Sequence, residues 1–330
     1  MKRSGRNRFV LLMAMSVLVA AVPAWDPPAV AQTSPPVATV TIGVPSDGVF
    51  GLMGKYILEN GIDKKHGIEM QAKWAPVPEI QRLLVIGTLD TGLAVKESAV
   101  RANLGGTPLR LLVPVMRPHQ FVVVPAASPY QRVEELKGKK IALTPEVTAL
   151  YNMFDFIMRE RGVRIEREFQ LIKAGGPAII VHLEKKDVDA GIIWEPFVSR
   201  LLASGKYRAI MGLAEEMEKL TNSTERMAWV GAREGWLEKN REVAARLRAV
   251  WVEAAERART DEAFFRKVAK EFFGLEKPEE LSLGWQRVPQ FLYPKPWPDK
   301  AGIQAEIKRL ERTRELGILP ANAKVDIFWE

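Results

Sequence analysis

The stretch from Asp187 to Leu201, DVDAGIIWEPFVSRL, joins a short apolar run to an abrupt change of residue type. The run from Ala190 to Ile193 is typical of a strand that is buried on both faces of a parallel sheet. Trp194, Glu195 and Pro196 follow at once, and the proline suits the first turn of a helix, where its missing N–H costs nothing. The stretch therefore predicts a buried strand that carries an aromatic ring and a carboxylate to its carboxyl end.

Outward from this stretch, short apolar runs alternate with segments of helical spacing in two successive blocks. The first block has strand candidates at 40–44, 68–74, 91–95 and 109–115, and the second has them at 121–124, 141–143, 169–172 and 189–193. From about residue 233 the pattern is mostly helical. Such alternation predicts an α/β fold with two lobes, each a mainly parallel sheet flanked by helices.

The amino terminus has the pattern of an export signal. Four basic residues precede an apolar run from Phe9 to Val22, and Ala29-Val30-Ala31 provides a cleavage site, so we expect residues 1–31 to be a signal peptide. Retention of this segment as a membrane anchor remains an alternative. Cleavage would remove four basic residues and Asp26, which changes the formal net charge from +8 to +5. The remaining basic residues are dispersed, and no nucleic-acid partner is expected.

The chain has no cysteine, so neither disulfides, nor acylation of an amino-terminal cysteine, nor cysteine nucleophiles can contribute. An exported chain without a lipid anchor is expected in the periplasm. The sequence has no phosphate-binding loop, dinucleotide-binding glycine pattern, nucleophile elbow or His-Glu-x-x-His motif, and its three histidines lack metal-ligand spacing. We therefore expect no cofactor and no metal, and a binding protein rather than an enzyme.

Ligands of open parallel sheets bind outside the carboxyl ends of the strands. That rule selects the residues that follow the predicted strands as a ligand-binding set: Ser46, Asp47, Phe50, Glu97, Ser98, Met116, Arg117, His119, Thr144, Thr148, Trp194 and Glu195. Some of these have simpler interpretations. Phe50 and Met116 could belong to the core, and Glu195 could only cap the next helix.

Two longer segments carry a resemblance to a known family. VEELKGKKIALTPEVTALYNMFDFIMRERGV and LEKKDVDAGIIWEPFVSRLLASGKYRAI resemble the second lobe of bacterial solute-binding proteins of the nitrate/sulfonate/taurine type, which serve ATP-driven importers. IGTLDTGLAV resembles a segment of their first lobe through Gly87, Asp90 and Gly92. Relatives of this family bind thiamine pyrimidine precursors. The family usually has a glycine before Val-Asp-Ala, where this chain has Lys186-Asp187. This departure bears on the identity of the ligand and not on the fold.

The resemblance implies a type II periplasmic binding protein-like fold with two crossover hinge strands. Lobe 1 would comprise residues 38–124 and 228–330, and lobe 2 residues 125–227. Such a protein, expected to be a monomer, would capture a small organic solute between its lobes and deliver it to an ABC permease with its ATPase subunit. An enzyme on the same fold, similar to thiamine pyrimidine precursor synthases, and a ligand-sensing domain are the alternatives.

The charge of the ligand stays open at this stage. Lys96, Arg117 and the helix starts favour an anion such as a sulfonate or a carboxylate. Asp47, Glu97 and Glu195 favour an amine or a hydrogen-bonding heterocycle stacked on Trp194 or Phe50. A small organic solute with both polar and flat parts would satisfy both groups.

Overall fold

A computed structural model describes residues 37–146, 148–292 and 300–329. The predicted signal peptide, residue 147 at the predicted start of a helix, and most of the proline-rich loop after Leu292 lie outside these ranges. Within them, no helix has both the length and the apolar composition needed to cross a bilayer.

Ten strands and fourteen α-helices are described, together with two short 3-10 helices at Val133–Leu136 and Val288–Phe291. The strands are β1 Ala38–Pro45, β2 Ile68–Ala75, β3 Thr91–Val95, β4 Leu109–Met116, β5 Gln120–Pro125, β6 Lys140–Leu143, β7 Gln170–Lys173, β8 Ala190–Trp194, β9 Tyr207–Gly212 and β10 Ala228–Arg233. The helices are α1 Gly48–Glu59, α2 Ile62–Lys65, α3 Val77–Ile86, α4 Lys96–Leu104, α5 Ala149–Glu160, α6 Ile165–Glu168, α7 Gly176–Glu184, α8 Phe197–Ala203, α9 Leu213–Thr221, α10 Glu234–Lys239, α11 Arg241–Ala258, α12 Glu262–Phe273, α13 Pro278–Arg287 and α14 Lys300–Glu315.

The strands form two five-stranded sheets with the same plan. The first has the order β2-β1-β3-β10-β4 and the second β7-β6-β8-β5-β9. In the first sheet β10 is antiparallel to both of its neighbours, and in the second β5 is antiparallel to both of its neighbours, whereas the other described pairings are parallel. The predicted α/β fold with two mainly parallel sheets is therefore confirmed.

The chain passes between the two sheets twice. Residues 117–119 connect β4 in the first sheet to β5 in the second, and residues 222–227 return from α9 to β10. The predicted first lobe, 38–124, includes most of β5, but β5 is hydrogen-bonded to β8 and β9 in the second sheet. The sequence of a short apolar strand does not indicate which sheet the strand joins.

The first sheet is covered on both faces, as its apolar strands require. On one face Phe50 of α1 packs against Trp251 of α11, with ring centroids 4.7 Å apart. On the other face Trp229 of β10 packs against Phe328, with ring centroids 5.2 Å apart. Phe328, which follows the last helix, therefore covers part of this second face.

Candidate functional site

A cleft with a volume of about 420 Å³ opens between the two sheets. Its walls come from both halves of the molecule: the first half contains the first sheet, and the second half contains the second sheet. His119 and Met227, which belong to the two crossings, form its floor. The described lining residues are Pro45, Asp47, Gly48, Val49, Phe50, Pro76, Val77, Pro78, Gln81, Leu93, Val95, Met116, His119, Gln120, Thr144, Thr148, Ala149, Leu150, Trp194, Met227 and Ala228.

The lining follows from the directions of the strands and helices. The parallel strands β1, β3, β6 and β8 all end at this edge, and the starts of α1, α3 and α5 lie beside those ends. Most of the lining side chains are apolar, so the cleft offers shape and apolar contact with a small number of polar groups, as ligand pockets usually do.

Trp194 forms part of the wall contributed by the second sheet. Its ring meets Phe197 edge to face, with centroids 5.5 Å apart. Gly176 lies at the start of α7, where an added Cβ would come within 2.7 Å of the indole Cη2 atom. Glycine is therefore required at residue 176 for the indole to occupy this position.

His119 and Gln120 lie at the floor, between the sheets. The Gln120 Oε1 atom accepts a hydrogen bond from the His119 backbone N–H at 3.1 Å, and Gln120 Nε2 donates to the Met227 sulfur at 2.8 Å. Only 3% of His119 is exposed, and burial lowers the pKa of its imidazole to about 4. The imidazole is therefore neutral at neutral pH.

Seven of the twelve residues selected from the sequence lie in this cleft: Asp47, Phe50, Met116, His119, Thr144, Thr148 and Trp194. Asp47 lies near the solvent, where neighbouring protein atoms partly desolvate its carboxyl and raise the pKa above its ordinary value. Thr144 and Thr148 are hydrogen-bonded to each other, with their hydroxyl oxygens 2.6 Å apart.

The other five, Ser46, Glu97, Ser98, Arg117 and Glu195, do not belong to the lining. Glu195 is fully buried, accepts from the Ser199 N–H at 3.0 Å and Oγ at 2.6 Å, and pairs with Arg287. It therefore caps the start of α8, which was the simpler of its two interpretations.

The remaining four lie elsewhere. Ser98 Oγ donates to the Val95 carbonyl at 2.8 Å and accepts from the Val95 N–H at 3.2 Å. Arg117 pairs with Glu218, and Ser46 is exposed outside the lining. Glu97 belongs to a buried ionic cluster together with Lys96, Glu225, Arg226, Glu306 and Arg309.

This ionic cluster lies beside the second crossing. Lys96 pairs with Glu225 and, at 2.7 Å, with Glu306, while Arg309 reaches Glu97 at 3.4 Å and Glu225 at 3.3 Å. Lys96 is 2% exposed and does not line the cleft, so the cation expected to attract an anionic ligand is used within the protein.

Sequence reasoning missed the start of α3 and the second crossing. Pro76, Val77, Pro78 and Gln81 line the cleft and follow β2, whose carboxyl end contributed no residue to the predicted set. The Pro-Val-Pro run after β2 could have indicated this wall, since proline favours the first turn of a helix. Met227 and Ala228 had no comparable signal, because they approach the cleft only through the pairing of β10.

Comparison with known proteins finds a matching family and the same fold in solved structures. The NMT1-like family matches residues 35–272. The aliphatic sulphonate binding protein SsuA from Escherichia coli aligns with a TM-score of 0.71 at 20% identity, over 88% of this chain and 92% of that chain. The alkanesulfonate-binding protein SsuA from Xanthomonas axonopodis pv. citri, solved with MOPS, aligns with a TM-score of 0.70 at 18% identity, over 89% of this chain and 99% of that chain.

A ligand-binding component of an ABC-type import system from Staphylococcus aureus, solved with zinc bound, aligns with a TM-score of 0.67 at 10% identity, over 89% of this chain and 96% of that chain. No curated protein sequence matches the chain. The structural similarities show the fold, and the expected resemblance to binding proteins of the nitrate/sulfonate/taurine type is confirmed. The family match covers well over half of the sequence, and the chain therefore belongs to the NMT1-like family.

Proposed function

We propose that this protein is the extracytoplasmic solute-binding component of an ABC importer. It captures a small organic solute in the cleft and delivers it to a membrane permease with its ATPase subunit. Membership of the NMT1-like family and the importer components among the structural relatives support this role. The proposal includes export to the periplasm, cleavage near Ala31 and a monomeric state.

The observation that carries the proposal is the composition of the cleft. Phe50 and Leu93 from the first half face Thr144 and Trp194 from the second, and Met227 lies between them. A solute that contacts both halves binds better when the halves are close together, so it shifts the population toward a closed form. The permease would recognise that closed form.

We also propose the two lobes as the units that move. Residues 38–124 with 228–330 and residues 125–227 were expected from the sequence, and the pairing of β5 with β8 and β9 favours moving the first boundary to residues 117–119. The two connections at 117–119 and 222–227 would then be the hinge.

The test is a solute screen on the mature chain, residues 32–330, followed by small-angle scattering. A solute that binds only the folded protein raises the melting temperature, and a 100-fold excess over Kd corresponds to about 2.7 kcal/mol of added stability. We expect the solute to decrease the radius of gyration and to stimulate ATP hydrolysis by the reconstituted permease.

A cleft-filling variant provides the control. Ala149→Phe adds a ring at the start of α5, inside the cleft, and should abolish binding while the melting temperature without solute stays near that of the wild type. Chemical turnover of a bound solute, followed by mass spectrometry, would instead support an enzyme. Binding without any change in dimensions would contradict the closing mechanism.

A further inference from the structure

The polar atoms at the floor and on the second-half wall of the cleft have a defined donor and acceptor pattern. The Thr148 hydroxyl lies 2.7 Å from the carbonyl oxygen of Pro145, and a carbonyl can only accept, so Thr148 donates its single proton there. Thr148 must therefore accept from Thr144 across their 2.6 Å contact, as it also accepts from the Tyr151 N–H at 3.3 Å. Thr144 has then used its proton, and its oxygen can only accept from a ligand.

The same reasoning applies to His119. Its Nδ1 atom lies 3.3 Å from the carbonyl oxygen of Arg117, so Nδ1 carries the proton of the neutral ring. Nε2 is then unprotonated and has no hydrogen-bond partner among the described residues. His119 lines the cleft while being 97% buried, so the floor presents an acceptor that needs a donor.

The charges around the cleft favour neither an anion nor a cation. Asp47 is the one ionisable acid in the described lining, and that lining contains no lysine or arginine. An anion would meet the lone pairs of Thr144, His119 and Asp47, whereas a cation would meet the positive ends of α1 and α5. Donors are available from Gln120 Nε2, from Gln81 and from the free backbone N–H groups at those helix starts.

We infer that the cleft selects an uncharged solute whose polar group carries an N–H or O–H donor as well as an acceptor, of the carboxamide, lactam or urea type, on an apolar and flat body. The donor binds Thr144 Oγ1 or His119 Nε2, the acceptor faces the helix starts, and the body lies against Trp194. This inference rests on the proposed function and specifies its ligand class. A sulfonate or a carboxylate has no such donor.

One arm of the test needs no ligand. Nitrogen NMR of the mature, ¹⁵N-labelled protein at neutral pH reports the tautomer of each of the three histidines, and the spectrum of His119→Gln assigns the His119 signals by their loss. We expect Nδ1 in the protonated range and Nε2 in the unprotonated range. A ring protonated at Nε2, or at both nitrogens, would overturn the inference.

The second arm compares matched probes by calorimetry: benzamide, benzoate and benzenesulfonate, and the aliphatic series butyramide, butyrate and propanesulfonate. Amides should bind at least tenfold more tightly than the matching anions. Tighter binding of the anions would overturn the ligand class and leave the proposed function standing. If no probe of either series binds, the screen still decides the proposed function, and a charged solute found in that screen would overturn the ligand class.

Variants then locate the donor. Thr144→Val keeps the shape of the side chain and removes the acceptor, so amide affinity should fall about tenfold, which corresponds to the loss of one ligand hydrogen bond. Thr39→Val, at an exposed position at the far end of β1, should leave the affinity unchanged. Unchanged amide affinity in both Thr144→Val and His119→Leu, which removes the ring acceptor without adding another, would refute the assigned acceptors.

Discussion

At the scale of single residues, Trp194 shows how a side chain of the cleft is held. The edge-to-face contact with Phe197 and the absence of a Cβ at residue 176 together define the position of the indole. Such aromatic contacts contribute about 0.5–1.5 kcal/mol beyond the area that they bury. The indole can therefore meet a solute in one orientation without a large loss of side-chain entropy on binding.

Trp194→Ala should weaken solute binding by about tenfold to a hundredfold, because burial of an aromatic surface against the ligand is lost. Isothermal calorimetry with a solute found in the screen would measure this change. Trp74→Ala provides the control, since Trp74 is 40% exposed and outside the cleft lining. Equal affinities of the Trp194→Ala variant and the wild type would remove Trp194 from the site.

Gly176→Ala tests whether the position of the Trp194 indole matters for binding. The new methyl group would overlap the Trp194 ring, so the ring must move, and we expect a loss of affinity at a cost of about 1–3 kcal/mol in folding stability. Gly175→Ala is the matched control, since an added Cβ there meets no atom within 4 Å. Crystal structures of both variants would show whether the indole has moved.

His119 makes stability depend on pH. The folded-state pKa is about 4 and the ordinary value is 6.5, so the unfolded chain binds the proton more readily between these values. Stability is therefore complete above pH 6.5 and falls as the pH decreases toward 4, by about 2 kcal/mol between pH 7 and pH 5.

Urea unfolding of the wild type and of His119→Gln at pH 7 and pH 5 would measure this difference. The variant should lose about 2 kcal/mol less than the wild type over that interval, because it lacks the buried imidazole. An equal loss in both proteins would contradict the pKa of His119.

These residues also show what sequence reasoning could reach. Trp194, Thr144 and Asp47 were identifiable because strand ends converge at one edge of a parallel sheet. The buried ion pairs of Glu195 and Lys96 were not identifiable, because their partners Arg287 and Glu225 are 92 and 129 residues away in the sequence. A charged residue after a strand has the same local sequence whether it faces a ligand or an ion-pair partner.

At the scale of elements, β3 and β8 are equivalent in the two sheets. Asp90 accepts from the Thr41 N–H at 2.9 Å before β3, and Asp189 accepts from the Lys140 N–H at 3.0 Å before β8. Each strand ends on a residue of the cleft lining, Val95 or Trp194. A buried charge then follows each strand: Lys96 after β3 and Glu195 after β8.

The ionic cluster around Lys96 is stable only as a set. Burial raises the pKa of Glu225, whereas for Glu306 the same effect of burial is outweighed by Lys96 and Arg309, which hold its pKa below the ordinary value. Removal of one cation leaves carboxylates in a site that water does not reach, and this cost exceeds the net contribution of the intact cluster.

Lys96→Met should therefore reduce the free energy of unfolding by about 3–5 kcal/mol, measured by urea titration at pH 7. Lys267→Met is the matched control, because Lys267 is 64% exposed and its pairing with Glu59 at 2.6 Å is a surface ion pair. We expect that control to change stability by less than about 1 kcal/mol. A small effect of Lys96→Met would show that Glu225 and Glu306 relax or protonate without cost.

At the scale of the whole molecule, the carboxyl-terminal helices connect the two sheets outside the cleft. Arg287 of α13 pairs with Glu195, and Arg312 of α14 contacts Glu160 at 2.6 Å. The Leu316 carbonyl accepts from Arg159 Nη1 at 2.7 Å. Together with the two crossings, these contacts link the stability of one half to that of the other.

We expect urea to unfold both halves in one transition, with coincident midpoints in far-ultraviolet circular dichroism and tryptophan fluorescence. Arg287→Gln should lower that common stability by about 2–4 kcal/mol, since Glu195 would remain buried without its cation. Arg312→Gln, which alters an exposed pair, should have little effect. Two separated midpoints in the wild type would contradict this linkage.

The succession of a lining residue and a buried charge in β3 and β8 has an evolutionary consequence. Val95 and Trp194 line the cleft, whereas Lys96 at the start of α4 and Glu195 before α8 do not, so position 95 or 194 can change while Lys96 or Glu195 keeps its ion pairs. Mutations that alter ligand preference at these positions need not destabilise the protein. Descendants of one ancestral chain could therefore acquire different solutes by a few substitutions, and the same two positions are the first to randomise when the protein is engineered as a sensor.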